Sequence, residues 1–222
     1  MYTLGEAEII FSSGQLIIHS VLFFYGSAVD DAFASQVAKD ISDHWNEPQG
    51  TVTINKKLYR VVFDIEGIWS KSLLPDMIFD NNNPRNNYFR IEAYAMGNIS
   101  FVDGLPCNTG YFKLENLLNN STTAAHEYGH TLGLAHPEIL DIRGNGQPGI
   151  MYPRGTICDP EYHYDPAAAP GAKGGTLNPF TRKVLQDDID LLELHRLSFN
   201  NKGTAVIGGF SSVFHESHSK DV

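Results

Sequence analysis

The sequence predicts an α+β fold in a single domain that spans residues 1–222. Strand-like runs recur between residues 7 and 114, and an apolar stripe with helical spacing interrupts them near the start. Residues 137–179 are rich in Gly and Pro and show little periodicity, and a second helical pattern follows them. The composition is 42% hydrophobic and 19% charged, which is typical of a globular chain that buries a core.

The first predicted elements are a hairpin and a helix. Residues 7–11 and 16–25 are strand-like and flank a Ser-Ser-Gly turn. An apolar stripe with fourth-residue spacing follows, formed by Val29, Phe33, Val37, Ile41 and Trp45. Ser27 and Asp30 resemble a capping box before this helix, and Pro48 ends it.

Further strands and two more helices are predicted downstream. The strand-like runs are residues 51–54, 58–65, 88–95, 99–102 and 110–114. Residues 80–87 have turn chemistry without periodicity and predict a surface loop. A second helix begins near Ser121 or Thr122, and a last helix covers residues 181–197. The tail from residue 198 is apolar at 205–210, so it either adds a strand or is partly disordered.

Charge and hydropathy exclude several classes of partner. The formal net charge is −10, from 16 basic and 26 acidic side chains, which disfavours nucleic acid and anionic lipid surfaces. No run of 18 apolar residues is present, so no membrane span is predicted. The acidity otherwise indicates solubility.

The chain start and the cysteines leave the compartment open. Residues 1–6 lack the basic-then-apolar pattern of an export signal, so either a signal was removed or export follows another route. Cys107 and Cys158 are too few for a disulfide scaffold. They either pair in an oxidising compartment or remain free thiols.

The segment HEYGHTLGLAH, residues 126–136, carries the chemistry. His126 and His130 are one helical turn apart, so both imidazoles lie on the same helix face. Two neutral imidazoles at this spacing bind one metal ion, and nitrogen-rich coordination favours zinc. Glu127, next to the first ligand, reaches a water at the metal without being a ligand itself.

Gly133 explains how a third ligand arrives. Glycine adopts a left-handed conformation at a helix C-terminus at least cost, and the chain can then turn sharply. This turn brings His136 under the metal from outside the helix. Three protein nitrogens leave a fourth position open, which is the catalytic rather than the structural arrangement of zinc.

The alternative is that the three histidines are helix caps, surface residues or hydrogen-bonding core residues. The spacing of the glycine and the third histidine disfavours it, and so do two downstream features. Met151 lies in the segment GIMYP, at the distance that the extended metal motif requires of a methionine turn. Asp188 lies on the predicted inner side of the last helix, where a carboxylate needs hydrogen-bond donors.

These segments resemble the metzincins, and among them the matrixins. The match covers residues 121–197 and includes the zinc helix, the methionine turn and the helix with Asp187 and Asp188. The resemblance implies an upper subdomain over about residues 1–133, with a mixed five-stranded twisted sheet and two helices. It implies an irregular lower subdomain over about 134–197 that ends in a C-terminal helix, a tail over 198–222, and an active-site cleft between the subdomains.

The resemblance also implies a function: a secreted or extracellular zinc-dependent endopeptidase that hydrolyses peptide bonds through a metal-activated water. Glu127 would be the general base, and His126, His130 and His136 would bind one catalytic zinc. Met151 would form the floor beneath the metal, and Asp188 would hydrogen-bond to the methionine-turn backbone.

Substrate, partners and further ions follow from the same resemblance. A protein or peptide substrate would lie extended in the cleft, antiparallel to the edge strand 99–102. The pocket for the residue after the cut would be bounded by the segment that follows the methionine turn and would take a medium or large apolar side chain. The resemblance also allows for a propeptide or an inhibitor outside this chain. Asp141 and Asn145 are a candidate calcium site, although a polar turn is favoured there.

Two departures and two rival functions accompany this interpretation. Pro137 follows the third histidine, where matrixins typically carry serine, and no cysteine-switch propeptide is recognisable. One rival is a delivered toxin or effector with the same chemistry and a narrow target. The other is a binding module that keeps the zinc without turnover, which the presence of Glu127 disfavours.

Overall fold

The computed structural model describes residues 5–219, and within them strands and helices share one fold, which confirms the α+β class. The strands are β1 Glu6–Ile10, β2 Gln15–Tyr25, β3 Thr51–Ile54, β4 Lys57–Trp69, β5 Asn86–Glu92, β6 Phe101–Val102, β7 Thr109–Lys113 and β8 Thr204–Val206. The helices are α1 Asp31–Asn46, α2 Pro75–Phe79, α3 Thr123–Thr131 and α4 Gln186–Leu191.

The strands form one mixed sheet in the order β3-β4-β2-β5-β7-β6. Strands β4, β2, β5 and β7 are mutually parallel neighbours, and β6 runs antiparallel to β7 at the end of this path. Strand β3 pairs antiparallel with β4 at the other end. The edge position that the sequence predicted for residues 99–102 is therefore occupied by β6.

The sheet of the described residues has eight strands where five were expected. The reason is the length of β2, which pairs with β5 only from Val21 to Tyr25 and would leave the backbone of its first half exposed. Strand β1 covers that half, antiparallel from Gln15 to His19. Strand β8 then pairs with the outer side of β1 from Glu6 to Glu8. The exposed backbone of β2 is thus covered by β1, and part of the new edge at β1 is covered by β8.

Alternation along β2 creates the face on which the helices pack. Leu16, Ile18, Leu22 and Phe24 are fully buried at every second position, as is Ser20 among them. Helix α1 covers this face with its predicted apolar stripe, of which Val37, Ile41 and Trp45 are buried. The core of the domain therefore lies between the sheet and α1, and α3 packs beside α1.

Helix α3 is fixed to this core by two buried hydrogen bonds. The indole Nε1 of Trp45 donates to the carbonyl of Ala125 at 3.0 Å. The hydroxyls of Ser20 and Tyr128 are 2.8 Å apart, which gives the one polar position on the inner face of β2 a partner. Trp45 and Tyr128 also meet edge to face at 5.8 Å. The orientation of the histidine-bearing helix is thus set by the sheet and by α1.

Two predicted helix boundaries are corrected. The N-cap of α1 is Asp30, whose carboxylate accepts from Phe33 N at 2.8 Å, whereas Ser27 donates to Glu92 instead of forming a capping box. Helix α4 covers only Gln186–Leu191 rather than residues 181–197. It ends early because Glu193 has a left-handed φ of 49°, which an α-helix cannot continue through.

The tail contributes β8 and then returns across the sheet, so the strand alternative holds for residues 204–206. His215 Nε2 lies 3.0 Å from the carboxylate of Asp103, beside β6.

Residues 1–4 and 220–222, which belong to the discussed chain start and tail, lie outside the described residues. The division into subdomains near residue 133 stays a prediction. None of the helices described here has the length and apolarity needed to cross a membrane.

Candidate metal centre

Three imidazoles converge where α3 ends. His136 Nε2 lies 3.0 Å from His126 Nε2 and 3.1 Å from His130 Nε2. His126 and His130 project from successive turns of α3, and His136 approaches from the loop beyond the helix. Among residues 5–219, this is the one group of three or more His, Cys, Asp or Glu side chains whose ligand atoms are close enough to share a metal ion.

The other ring nitrogens determine what the centre offers. His126 Nδ1 lies 2.7 Å from the carbonyl oxygen of Ile150, and His130 Nδ1 lies 2.6 Å from that of Leu134. A carbonyl only accepts hydrogen bonds, so both Nδ1 atoms carry the proton and both Nε2 atoms present lone pairs. With His136 in the same tautomer, the three lone pairs would face one another at this distance and would repel unless a cation lay between them.

The donor set fits zinc. Three neutral imidazole nitrogens, on rings of which two are anchored to carbonyls, match the ligands that zinc takes at catalytic sites. Tetrahedral zinc with bonds of about 2.0–2.1 Å separates its nitrogens by about 3.4 Å, close to the observed spacing. Burial lowers the pKa of His126 well below its usual value and lowers the pKa of His130 and His136 as well, so the rings are held in the neutral form that binds metal.

The bend that brings in His136 is at Gly133. Helix α3 ends at Thr131, Gly133 N donates to His130 O at 3.0 Å, and Gly133 has a φ of 102°. An L-residue with a side chain is strained at this φ, so glycine is the residue that allows the turn. Leu134 N then donates back to Gly129 O at 3.0 Å, which keeps the reversed chain against the helix.

Glu127 lies beside the histidines in a buried position. Burial raises the pKa of its carboxyl to about 8, and the charge of Arg182, the N–H of Val102 and the charge of Arg154 act in the opposite direction. A divalent cation held by the adjacent imidazoles would further favour the carboxylate form. Glu127 is therefore a buried carboxyl group with a raised pKa next to the candidate metal ligands.

Met151 lies under the helix at Gly129. It is fully buried, and a Cβ on Gly129 would overlap its Sδ and also approach the ring of Trp45 at 3.2 Å. The glycine within the motif thus creates the space that the sulfur fills. This places Met151 directly beneath the turn of α3 that joins His126 to His130.

Asp188 connects α4 to the methionine turn. Its buried carboxylate accepts from Leu185 N at 2.8 Å and from Ile150 N at 3.3 Å, and it also receives the N–H of Met151. These donors supply the partners that a core carboxylate requires. Burial nevertheless raises the pKa of Asp188 to about 6.

Arg182 was not anticipated from the sequence. The guanidinium is buried, with 5% exposure, and donates to Thr122 Oγ1 at 2.9 Å and to Tyr152 O at 3.0 Å. Its Nη1 also lies 3.0 Å from His126 Nδ1. Because that Nδ1 is protonated and cannot accept a hydrogen bond, Nη1 donates to Tyr152 O instead. Burial lowers the pKa of Arg182 to about 10. A single arginine in a loop carries no sequence signal that would have indicated this position.

A cleft runs past the histidines and has two pockets, which share Ile99, Ser100, His126, Glu127 and His136. One pocket, of ≈ 370 Å³, continues along β6 to Gly104 and Leu105, and is called the Leu105 pocket here. The other, of ≈ 210 Å³, continues to Asn116, Pro153, Arg154 and Arg182, and is called the Arg154 pocket. Pockets therefore open on both sides of the histidine cluster, whereas an active-site cleft between two subdomains stays a prediction.

Comparison with known proteins gives limited information. The sequence matches no protein-family model and no curated protein. The structure is similar to the crystal structure of archaemetzincin from Methanopyrus kandleri, with 14% sequence identity and a TM-score of 0.40 over 80% of this chain and 95% of that chain. A TM-score this low defines neither a family nor a function, so the function is inferred from the site itself.

The remaining predicted ligands and thiols lie apart from this centre. The Asp141 carboxylate is paired with the guanidinium of Arg143, whose hydrogen bonds lower the pKa of the acid. Asn145 N donates to Ile142 O at 3.0 Å in a tight turn. Calcium at this turn stays a prediction. Cys107 and Cys158 are both buried free thiols.

Proposed function

We propose that this protein is a zinc-dependent endopeptidase of the metzincin type. The observation that carries the proposal is the convergence of three Nε2 atoms beside the buried carboxyl of Glu127, on the wall of a cleft that runs along an edge strand. The closer relation to matrixins, the extracellular location and the subdomain division are further parts of this proposal, supported by the motif alone.

His126, His130 and His136 hold the ion, and the carbonyls of Ile150 and Leu134 keep two of the rings in the ligating tautomer. Zinc bound there supplies a Lewis acid for a peptide carbonyl and for an attacking water. Glu127 takes a proton from that water and delivers it to the leaving amine. Burial raises the pKa of Glu127 to about 8, and the charge of Arg182 and the Val102 N–H oppose this rise.

Strand β6 positions the substrate. It pairs with β7 on one side only, so a substrate strand can add to its other side, where the Val102 N–H is a partner of Glu127. An extended peptide that adds to this side, antiparallel to β6, passes directly over the histidines. The reaction class that fits this arrangement is hydrolysis of an internal peptide bond.

The decisive experiment compares casein cleavage and zinc content in the wild type, in Glu127→Gln and in Glu66→Gln, an exposed residue on the outer part of β4. The wild type and Glu66→Gln should cleave casein and stop after metal chelation. Glu127→Gln should retain stoichiometric zinc and lose at least a hundredfold in turnover.

Three results would refute parts of the proposal. Full activity in Glu127→Gln would remove Glu127 as the base. Zinc binding without cleavage of any protein or peptide by the wild type would indicate a binding module. Cleavage that survives complete removal of metal would exclude metal-assisted hydrolysis.

A further inference from the structure

The two pockets of the cleft receive opposite ends of a substrate. Strand β6 runs from Phe101 to Val102, and the Leu105 pocket lies beyond its end. The Arg154 pocket reaches only Ile99 and Ser100, which precede β6. A substrate antiparallel to β6 therefore places its N-terminal part in the Leu105 pocket. On the proposed function, on which this inference rests, the residue just after the cleaved bond enters the Arg154 pocket.

The Arg154 pocket is lined by two guanidinium groups. Arg154 is exposed, directly follows Pro153, and no hydrogen bond to its side chain is formed by the described residues. Arg182 is buried, and its hydrogen-bond acceptors are the hydroxyl of Thr122 and the carbonyls of Pro179 and Tyr152, all of them neutral. The ion pairs within residues 5–219 include neither arginine.

The acidic groups nearby do not neutralise this pair. Glu127 lines the same pocket and its charge acts on both guanidinium groups, but it is one carboxyl group against two arginines. Glu115 lines a neighbouring pocket that shares Arg154, and its carboxylate is paired with Lys113. With a divalent ion bound, positive charge exceeds negative charge around the pocket. This local excess contrasts with the net charge of −10 of the whole chain.

A carboxylate is the ligand that these features favour. A guanidinium binds a carboxylate through two parallel hydrogen bonds, and the head of Arg154 is free to form them. No carboxylate hydrogen-bonds to the buried guanidinium of Arg182, whose charge Glu127 offsets only from a distance, so an entering anion would gain a direct partner in a region of low dielectric. Ser100 and Asn116 add polar side chains to the wall. An apolar side chain would instead lie against two guanidinium groups without offering either of them a hydrogen-bond acceptor.

We infer that the protein cleaves peptides on the N-terminal side of Asp or Glu, whose carboxylate is held by Arg154 with Arg182 behind it. This differs from the medium or large apolar side chain that the matrixin resemblance implies. Arg154 is a specificity-determining residue, and Arg182 contributes through its buried charge. The volume of ≈ 210 Å³ accommodates either acidic side chain.

The first test uses matched, C-terminally amidated fluorogenic peptides that differ only in the residue after the cut: Glu, Gln, Leu or Lys. The wild type should show kcat/KM for Glu about tenfold or more above Gln and above Leu. In Arg154→Leu, the ratio of kcat/KM for the Glu peptide to that for the Gln peptide should be close to one. In Arg154→Glu, the Lys peptide should have the highest kcat/KM. Arg60→Gln, an exposed arginine on β4, should leave every ratio unchanged.

A second readout does not depend on turnover. Binding of the same peptides to the zinc-loaded Glu127→Ala variant is measured by fluorescence anisotropy, with and without Arg154→Leu. Tighter binding of the Glu peptide than of the Gln peptide, lost in the double variant and weakened by salt, is the expected result.

The outcomes separate the two claims. A wild-type ratio of Glu to Gln near one, or a ratio unchanged in Arg154→Leu, overturns the acidic preference while leaving peptide hydrolysis intact. If no peptide is cleaved, the proposed function fails, and the anisotropy comparison still decides whether the pocket binds a carboxylate. Equal binding of the Glu and Gln peptides there overturns the inference as well.

Discussion

The imidazole Nδ1 of His126 lies 2.7 Å from the carbonyl oxygen of Ile150, which joins the metal-ligating helix to the turn that contains Met151. The N–H of the same Ile150 points to the carboxylate of Asp188 at 3.3 Å. A single residue, Ile150, therefore connects α4 to a candidate metal ligand, and the orientation of the His126 ring depends on residues distant in sequence. Hydrogen-bond partners of the second ring nitrogen, such as this carbonyl, fix the tautomer and the orientation of metal-binding histidines.

Zinc is expected to stabilise the folded protein. Three neutral nitrogens are brought together only after folding, so zinc binds the native state in preference to the unfolded chain. A zinc concentration of 100 times the dissociation constant should add about 3 kcal/mol to the free energy of unfolding and raise Tm. His130→Ala should abolish this increase, measured by thermal unfolding with zinc and with chelator.

The matched control for this experiment is His195→Ala, an exposed histidine outside the cluster. It should respond to zinc as the wild type does. If His130→Ala retained stoichiometric zinc by elemental analysis, His130 would not be a ligand.

Gly129→Ala should destabilise the protein even though alanine is the better helix former. The propensity gain is about 1 kcal/mol, but the new Cβ overlaps Sδ of Met151 in a fully buried region. Overpacking of a core costs about 1–3 kcal/mol, so after the propensity gain we expect a net loss of up to about 2 kcal/mol in urea unfolding.

The same substitution in a Met151→Ala background isolates the contact. There the added methyl enters the space that the sulfur vacates, and Gly129→Ala should be neutral or stabilising. An equal loss in both backgrounds would show that the overlap with Met151 is not the cause.

Gly133→Ala should weaken both folding and zinc binding. The backbone φ of 102° costs a side-chain-bearing residue about 1–2 kcal/mol, and relaxation of the turn would move His136 away from the other two ligands. Gly155→Ala is the control, because its Cβ would meet open space and its φ is not in the left-handed range. A zinc affinity in Gly133→Ala equal to that of the control would contradict the role of this bend.

The stability of the metal-free protein should depend on Asp188 between about pH 4 and pH 6. Burial raises the pKa of its carboxyl to about 6 in the folded state, above the value of about 3.9 in an unfolded chain. The folded state therefore binds more protons in this window, and the Asp188 contribution to stability falls as pH rises through it. The fall levels off above pH 6 and amounts to about 3 kcal/mol at most.

Asp188→Asn removes this titration. The unfolding free energy of the wild type minus that of the variant should therefore fall by up to about 3 kcal/mol from pH 4 to pH 7. Urea unfolding in the presence of chelator measures it, and Asp187→Asn, the exposed neighbour on the same helix, is the control. A difference that stays constant with pH, or grows in favour of the wild type, would contradict the raised pKa.

Much of the fold followed from local pattern. The alternation in β2 and the fourth-residue stripe of α1 are visible in the sequence because burial imposes periods of two and of about 3.6 residues. The failures were also local in origin. Helix α4 was predicted too long because its apolar spacing continues past Leu191, while the left-handed backbone at Glu193 that ends the helix leaves no such periodic signal.

The sequence by itself determined the metal-ligand spacing. His126 and His130 share a helix face whatever surrounds them, and Gly133 permits the bend that returns His136, because both follow from backbone geometry over a few residues. The sequence also predicted the hairpin of β1 and β2, but only the tertiary structure decided that the tail forms β8 and pairs with the outer side of β1. The tertiary structure alone also showed that Arg182, 56 residues beyond His126, lies against the metal centre and that Arg154 gives one pocket its charge. Contacts between distant segments depend on how the sheet and loops pack, and residue spacing along the chain carries no record of that packing.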